Sequence, residues 1–244
     1  MTVLLKLGGR VITEKDQAET VDEAALGRIA ETIASQQPAE LVVVHGGGSF
    51  GHHHAAKHGV SRTDGTTDAT AIREINDAMR RLNRIVIERL ATHGIDPLPA
   101  HPLSIGSRDA AGGLTLPVAG IRTMIVEGFV PVTHGDVITH SGRGATILSG
   151  DELIVSLAES LGADRVGLCS TVPGVLNTDG EVIPRIEDFE AVAAALDASD
   201  TTDVTGGMAG KVRTLLESDV PAEIFGLDGL AAFLAGDHPG TLIA

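Results

Sequence analysis

An alternation constrains this chain more than any other feature. Short valine-rich runs trade places with longer, alanine-rich stretches whose apolar residues recur at helical spacing. Val3 to Leu7 reads as a strand that stops at Gly8-Gly9. A helix over 20–36 follows, with Thr20 and Glu23 at capping-box spacing and Leu26, Ile29, Ala30 and Ile33 on one face. Leu41 to Val44 is a second strand, His45-Gly46-Gly47-Gly48 is its turn, and Ser49 is the expected cap of a short helix around 50–58. "DATAIREINDAMRRLNRIVIERLATHG" predicts a longer helix with Ile72, Ile75, Met79, Leu82 and Val86 along one side, ended by Gly94. Strand, loop and helix in repeated succession point to α/β layers.

The rest follows the same order less regularly. Residues 96–116 predict a strand, a pocket-lining loop and a glycine hairpin, before a short helix over 118–127. "FVPVTHGDVI" reads as a strand running into a turn at Gly135-Asp136. Helix 151–161, for which Asp151 is a candidate cap, strand 165–169 and a loop with turn pairs Pro173-Gly174 and Asp179-Gly180 come next. Helix 188–196, a helix after Gly206-Gly207, a strand over 222–225, helix 228–235 and a strand near 241–243 complete the chain. No Pro/Ser-rich linker or low-complexity run divides the 244 residues, and 43% of them are hydrophobic, so one domain over 1–244 around one core is expected.

Composition excludes several functions. No apolar run approaches the roughly 20 residues of a bilayer span, and the N-terminus reads as a strand rather than a signal peptide. Cys169 is the single cysteine, which rules out an intrachain disulfide and fits a reducing cytoplasm. A net charge of -15 repels nucleic acid and anionic membranes. Lysine is scarce: only Lys6, Lys15, Lys57 and Lys211 occur, and Lys6 and Lys211 stand beside glycine turns.

Glycine turns with nearby lysines suit phosphate, because turn amides donate to its oxygens and the ammonium group adds charge. Three such places occur: Gly8-Gly9 with Lys6, Gly46-Gly47-Gly48, and Gly206-Gly207 with Gly210-Lys211. No G-x-x-x-x-G-K-[ST] loop is present. Gly46, Gly48 and Gly51 formally match the dinucleotide pattern G-x-G-x-x-G. However, Thr70, Ala71 and Ile72, some 20 positions on, open a helix rather than supply the expected acid, and the lysines would go unexplained. His52, His53 and His54 point in different directions on a helix and do not form a metal cluster.

With those segments in view, the chain resembles the amino acid kinase superfamily end to end, and within it the isopentenyl phosphate kinases. "KLGGRVITEK", "VVVHGGGSFGH", "VPVTHGDV", "ILSGDE" and "DVTGGMAGKV" carry the resemblance. It implies a three-layer αβα sandwich with a mainly parallel central sheet. The acceptor would sit mainly in the N-terminal half and ATP mainly in the C-terminal half. The implied reaction is isopentenyl phosphate plus ATP giving isopentenyl diphosphate plus ADP, in isoprenoid biosynthesis, with a cytoplasmic homodimer expected. Fosfomycin or another small phosphorylated or phosphonate acceptor is the alternative.

The resemblance also distributes roles. Lys6 would contact the phosphoryl group in transfer, Lys211 and Lys15 the ATP phosphates, and His52 the phosphate of the acceptor. Asp151 would position the lysines. Gly8, Gly9, Gly47, Gly48 and Gly51 fall on the acceptor side, and Thr171, Gly174, Gly207, Met208 and Gly210 around the nucleotide. Mg2+ would enter through the ATP phosphates, with no metal site of the protein's own. The family's G-G-S opening is Gly8-Gly9-Arg10 here, which leaves Arg10 without a role. An apolar cavity bordered by the 70–91 helix would take the five-carbon tail, reached by one or two residues of the Ile72–Val86 stripe.

Overall fold

The structure, a computed structural model, describes residues 1–14, 16–193, 196, 207–218 and 220–244. Its helices are α1 (Gly9–Ile12), α2 (Glu23–Gln36), α3 (Gly48–Lys57), α4 (Ala69–Thr92), α5 (Pro102–Ile105), α6 (Ala119–Val126), α7 (Gly150–Leu161), α8 (Gly207–Leu216) and α9 (Leu230–Ala235). The strands are β1 (Thr2–Leu7), β2 (Glu40–His45), β3 (Pro97–Pro99), β4 (Ser107–Arg108), β5 (Leu114–Thr115) and β6 (Val130–His134). They continue with β7 (Asp136–His140), β8 (Gly144–Leu148), β9 (Arg165–Ser170), β10 (Arg185–Ile186), β11 (Ala222–Gly226) and β12 (Thr241–Ile243).

Eight strands form one sheet in the order β10-β12-β11-β9-β1-β2-β6-β3. Every neighbouring pair is parallel except β11 with β12. A smaller sheet, β5-β4-β7-β8, lies beside it. Side chains of a strand alternate between faces, and here that alternation makes two cores. Val3, Leu5 and Leu7 of β1 join Leu41 and Val43 of β2 against α2, α4 and α9. Leu4 joins Val42 and Val44 against α6, α7 and α8. Helices thus cover both faces, which is the expected three-layer arrangement. Lys6 shares Leu4's parity, so the strand carries it toward α7 and α8.

Several local expectations give way to better-placed groups. Helix α2 starts at Glu23 because Asp22, two residues past the expected cap Thr20, takes the cap and accepts from the Ala25 amide at 2.8 Å. A carboxylate there also meets the positive end of the helix. Ser49 does not cap α3: the helix begins at Gly48 with Gly47 as its cap residue, and the Ser49 amide donates to Thr13 Oγ1 at 3.0 Å. Asp151 does not cap α7, because Ser149 and Glu152 form a complete capping box around it. Gly135-Asp136 is not a turn. Gly135 alone separates β6 from β7, and Asp136 already pairs with Leu148 in the smaller sheet. The predicted helix over 188–196 includes 194 and 195, which lie outside the described residues, as do Gly206 and Lys15.

Candidate active site

Parallel strands deliver their loops to one edge, and there β1, β2, β6 and β9 open on a cavity of about 370 Å³. Its floor is made of glycine turns in contact with one another. A methyl group added at Gly9 would fall 2.2 Å from the Gly48 nitrogen, and one at Gly46 would fall 2.7 Å from the Gly9 nitrogen. Only glycine lets the β1 and β2 turns approach so closely. Thr13 pins the contact, since its Oγ1 donates to the Gly9 carbonyl at 2.8 Å while accepting from Ser49. Gly48, at φ 48°, takes the left-handed conformation that opens α3.

Charge enters from β1, α7 and α8. Lys6 Nζ lies 2.9 Å from Asp151 Oδ1, and Lys211 Nζ lies 3.3 Å from Asp151 Oδ2. One carboxylate thus holds two ammonium groups from β1 and α8. Burial pushes the Asp151 carboxyl up, but the two lysines together outweigh it and leave the group well below the usual carboxylate range. Burial lowers the Lys6 ammonium, helped by repulsion from Lys211, while Asp151 opposes both. Gly150 leaves room for the lysine: a methyl group there would sit 2.9 Å from Lys6 Cε.

The remaining wall is apolar. Ala55 of α3, Ile75 and Met79 of α4 and Ile147 of β8 line it, beside half-buried His52. Leu82 and Val86 of the same α4 stripe are buried in the core instead, and Ile72 packs beside Val137. Two members of the stripe therefore reach the cavity.

Of the sequence-predicted residues, Lys6, Gly8, Gly9, Gly47, Gly48, Gly51, His52, Asp151, Thr171, Gly207, Met208 and Lys211 line this one cavity, as does Arg10. Gly174 and Gly210 do not. Gly174 faces inward, where an added methyl group would meet Val182 and Thr241, and Gly210 belongs to α8 without lining the cavity. Among the described residues, no group of three His, Cys, Asp or Glu side chains is placed to hold a metal. No described helix is long and apolar enough to cross a membrane. Cys169 is buried, and burial pushes its thiol up to about 12, which makes it inert as a nucleophile at neutral pH.

Sequence reasoning missed Asp136. It lines the cavity while 2% exposed, and Asn76 Nδ2 and the Val137 amide each donate to it at 2.8 Å. Burial raises its carboxyl to about 7 against those hydrogen bonds. The signal was an acid directly after a valine-rich strand, which turn statistics absorbed. Glu19 was missed too: its carboxylate binds His54 of α3 at 2.5 Å and Arg81 of α4 at 2.7 Å, tethering the segment after α1 to both helices.

The model of the amino acid kinase family matches residues 1–218. The isopentenyl phosphate kinase of Haloferax volcanii is 61% identical to this chain, over 99% of this chain and 98% of that one. The enzyme of the same name from Methanothermobacter thermautotrophicus is 36% identical, over 91% of this chain and 90% of that one. A solved structure titled as isopentenyl phosphate kinase superposes with a TM-score of 0.87 at 30% identity, covering all of both chains.

Proposed function

The chain belongs to the amino acid kinase family, and from that premise we propose that it transfers the γ-phosphoryl group of ATP to isopentenyl phosphate, giving isopentenyl diphosphate and ADP. The observation that carries this reading is the Lys6–Asp151–Lys211 group lining one cavity together with the glycine turns and His52. Two ammonium groups on one carboxylate leave positive charge uncompensated, and a transferring phosphoryl group supplies the missing negative charge. Phosphoryl transfer is chiefly positioning and electrostatic stabilisation, and an acceptor oxygen that is already ionised needs no strong general base.

The roles divide across the cavity. Gly8, Gly9, Gly47, Gly48 and Gly51 offer close backbone approach to the acceptor phosphate in the N-terminal half of the single domain, with His52 donating to a nonbridging oxygen. Ala55, Ile75, Met79 and Ile147 receive the five-carbon tail. Thr171, Gly207, Met208 and Lys211 surround the nucleotide from the C-terminal half, joined by Lys15, while Gly174 and Gly210 stand outside the cavity lining. Lys6 stands between the two substrates. Asp151 keeps both lysines aimed inward and is engaged by them, so Mg2+ is placed on the ATP phosphates, where it would neutralise their charge. A cytoplasmic homodimer remains the expected form.

Incubation of the protein with ATP, Mg2+ and isopentenyl phosphate should yield a diphosphate and ADP in equal amounts. Folded protein that forms no product across a salt series would refute the assignment. Faster turnover of fosfomycin would move the acceptor and keep the kinase.

A further inference from the structure

Two histidines occupy equivalent places behind the cavity. His45 ends β2 and His134 ends β6, the two are register partners, and their rings stack at 5.4 Å. Both are wholly buried and neither lines the cavity, although the residues that follow them, Gly46 and Gly135, do. The His45 Nδ1 lies 3.1 Å from the Gly46 carbonyl, and the His134 Nδ1 lies 3.0 Å from the Gly135 carbonyl. A carbonyl oxygen only accepts, so each ring carries its proton on Nδ1.

The outer nitrogens agree with that assignment. Burial lowers the His45 imidazole to about 4, so at neutral pH its Nε2 is bare. The Asn83 carboxamide touches it at 3.1 Å. A bare nitrogen and an amide oxygen repel, so Asn83 presents its NH2 to the ring; in the opposite orientation that NH2 would be buried without a partner. His134 is held the same way, with His101 Nδ1 donating to its Nε2 at 3.1 Å. Two parallel relays result, Asn83 to His45 to the Gly46 carbonyl and His101 to His134 to the Gly135 carbonyl.

We propose that His45 is a positioning residue for the acceptor phosphate, acting through the Gly46–Gly47 peptide. A trans peptide carries its C=O and the following N–H on opposite sides. Turning the Gly46 carbonyl back into the buried ring therefore aims the Gly47 N–H the other way, toward the cavity. Gly47 and Gly48 open α3, where helix amides lack intrahelical partners, and among the described residues neither donates to a backbone carbonyl. Without the ring the peptide can rotate, and the amide is no longer preset for an anion. The inference rests on the acceptor side assigned above and adds a residue that touches no substrate.

The test is steady-state kinetics with isopentenyl phosphate and ATP on the wild type, His45→Leu and His45→Asn. Asn places an N–H donor where Nδ1 stands and can reach the same carbonyl. The leucine variant should raise the acceptor KM about tenfold, the worth of one charge-assisted hydrogen bond, with the ATP KM within about twofold. The asparagine variant should bring the acceptor KM back to within about threefold of wild type. Equal impairment in both variants, an unchanged acceptor KM, or both KM values rising together would overturn the proposal. If the leucine variant does not fold, long-range 1H–15N correlation on the wild-type protein decides. Nδ1 protonated and Nε2 bare between about pH 5 and 8 supports the relay, and the opposite tautomer overturns it. Should the wild type fail to turn over isopentenyl phosphate, the functional reading falls; the tautomer and binding of inorganic phosphate by wild type and His45→Leu then judge His45 separately.

Discussion

The two walls of the cavity handle an anion by different means. On the α7–α8 side, three charged side chains from distant parts of the chain, Lys6, Asp151 and Lys211, converge within 3.3 Å contacts. On the α3–α4 side the polar groups are backbone amides at glycine turns, held by the Thr13 hydroxyl and by the His45 and His134 rings, together with the side chains of His52 and Asp136 and with apolar side chains beyond. The charged wall suits a group whose charge changes during reaction. The amide wall suits a phosphate that must be held still. A charge on the amide side would disturb an apolar tail, whereas neutral donors there can select a phosphate and tolerate hydrocarbon beside it.

The sharpest way to break that comparison is to remove the charges. Lys6→Ala and Lys211→Ala should each lower kcat about 10²-fold or more, since donors to a transferring phosphoryl group act mainly in the transition state. Circular dichroism should show both variants folded. Near-normal turnover in either would take that lysine out of the reaction and leave it as a partner of Asp151 only.

How far each wall was legible in the sequence follows from the same difference. Lysine is rare in this chain, so Lys6 and Lys211 beside glycines stood out, and strand parity then placed Lys6 on the α7–α8 face. Asp151 was legible only as a helix-start residue or through resemblance, because its two partners lie 145 and 60 positions away. The amide wall hid more. A histidine that orients a carbonyl looks like any histidine at a strand end, and Asp136 looked like half of a turn. Caps failed by two residues where several candidates stood together, as with Thr20 against Asp22 and Asp151 against Ser149. Those choices are decided by which side chain reaches an amide, and spacing alone does not record that.

The amide wall can be sharpened through His52. His52→Ala should reduce kcat/KM for isopentenyl phosphate by about 10- to 100-fold, in the range for a hydrogen bond to a charged group, and should act more on the acceptor than on ATP. The same wall predicts that isopentenyl and dimethylallyl phosphate outrun fosfomycin and UMP in wild type, because Ile75, Met79 and Ile147 favour hydrocarbon. An undiminished variant, or preference for the polar acceptors, would mean the phosphate is held elsewhere.

Asp136 tests whether the amide wall stays neutral. Its folded carboxyl is raised to about 7 from an ordinary 3.8, so the folded state holds a proton that the unfolded state has released. That contribution to stability is fully present below about pH 4, shrinks as pH rises toward 7, and is absent above it. The whole span is on the order of a few kcal/mol. Asp136→Asn cannot ionise, and its melting temperature should therefore fall less than that of wild type between about pH 4 and 7. Parallel profiles would indicate that the three donors to Asp136, from Asn76, Val137 and Leu103, keep it ionised throughout.

The smallest expected effect separates the buried charges of the first wall from those of the surface. With a net charge of -15, the folded chain repels itself at low ionic strength, so its melting temperature should rise by several degrees between low and molar potassium chloride. Exposed pairs such as Arg28 with Asp228 and Arg84 with Glu88 are screened over the same range and weaken, which limits the gain. The Lys6–Asp151 contact has only 7% of the lysine side chain and 20% of the aspartate side chain exposed, so salt reaches it poorly. Consequently the difference in melting temperature between wild type and Lys6→Ala should stay nearly constant while both values climb. A flat or falling wild-type curve would count against salt stabilisation. A difference that collapses with salt would show the triad to be open to solvent, and the contrast between the two walls would then rest on geometry alone.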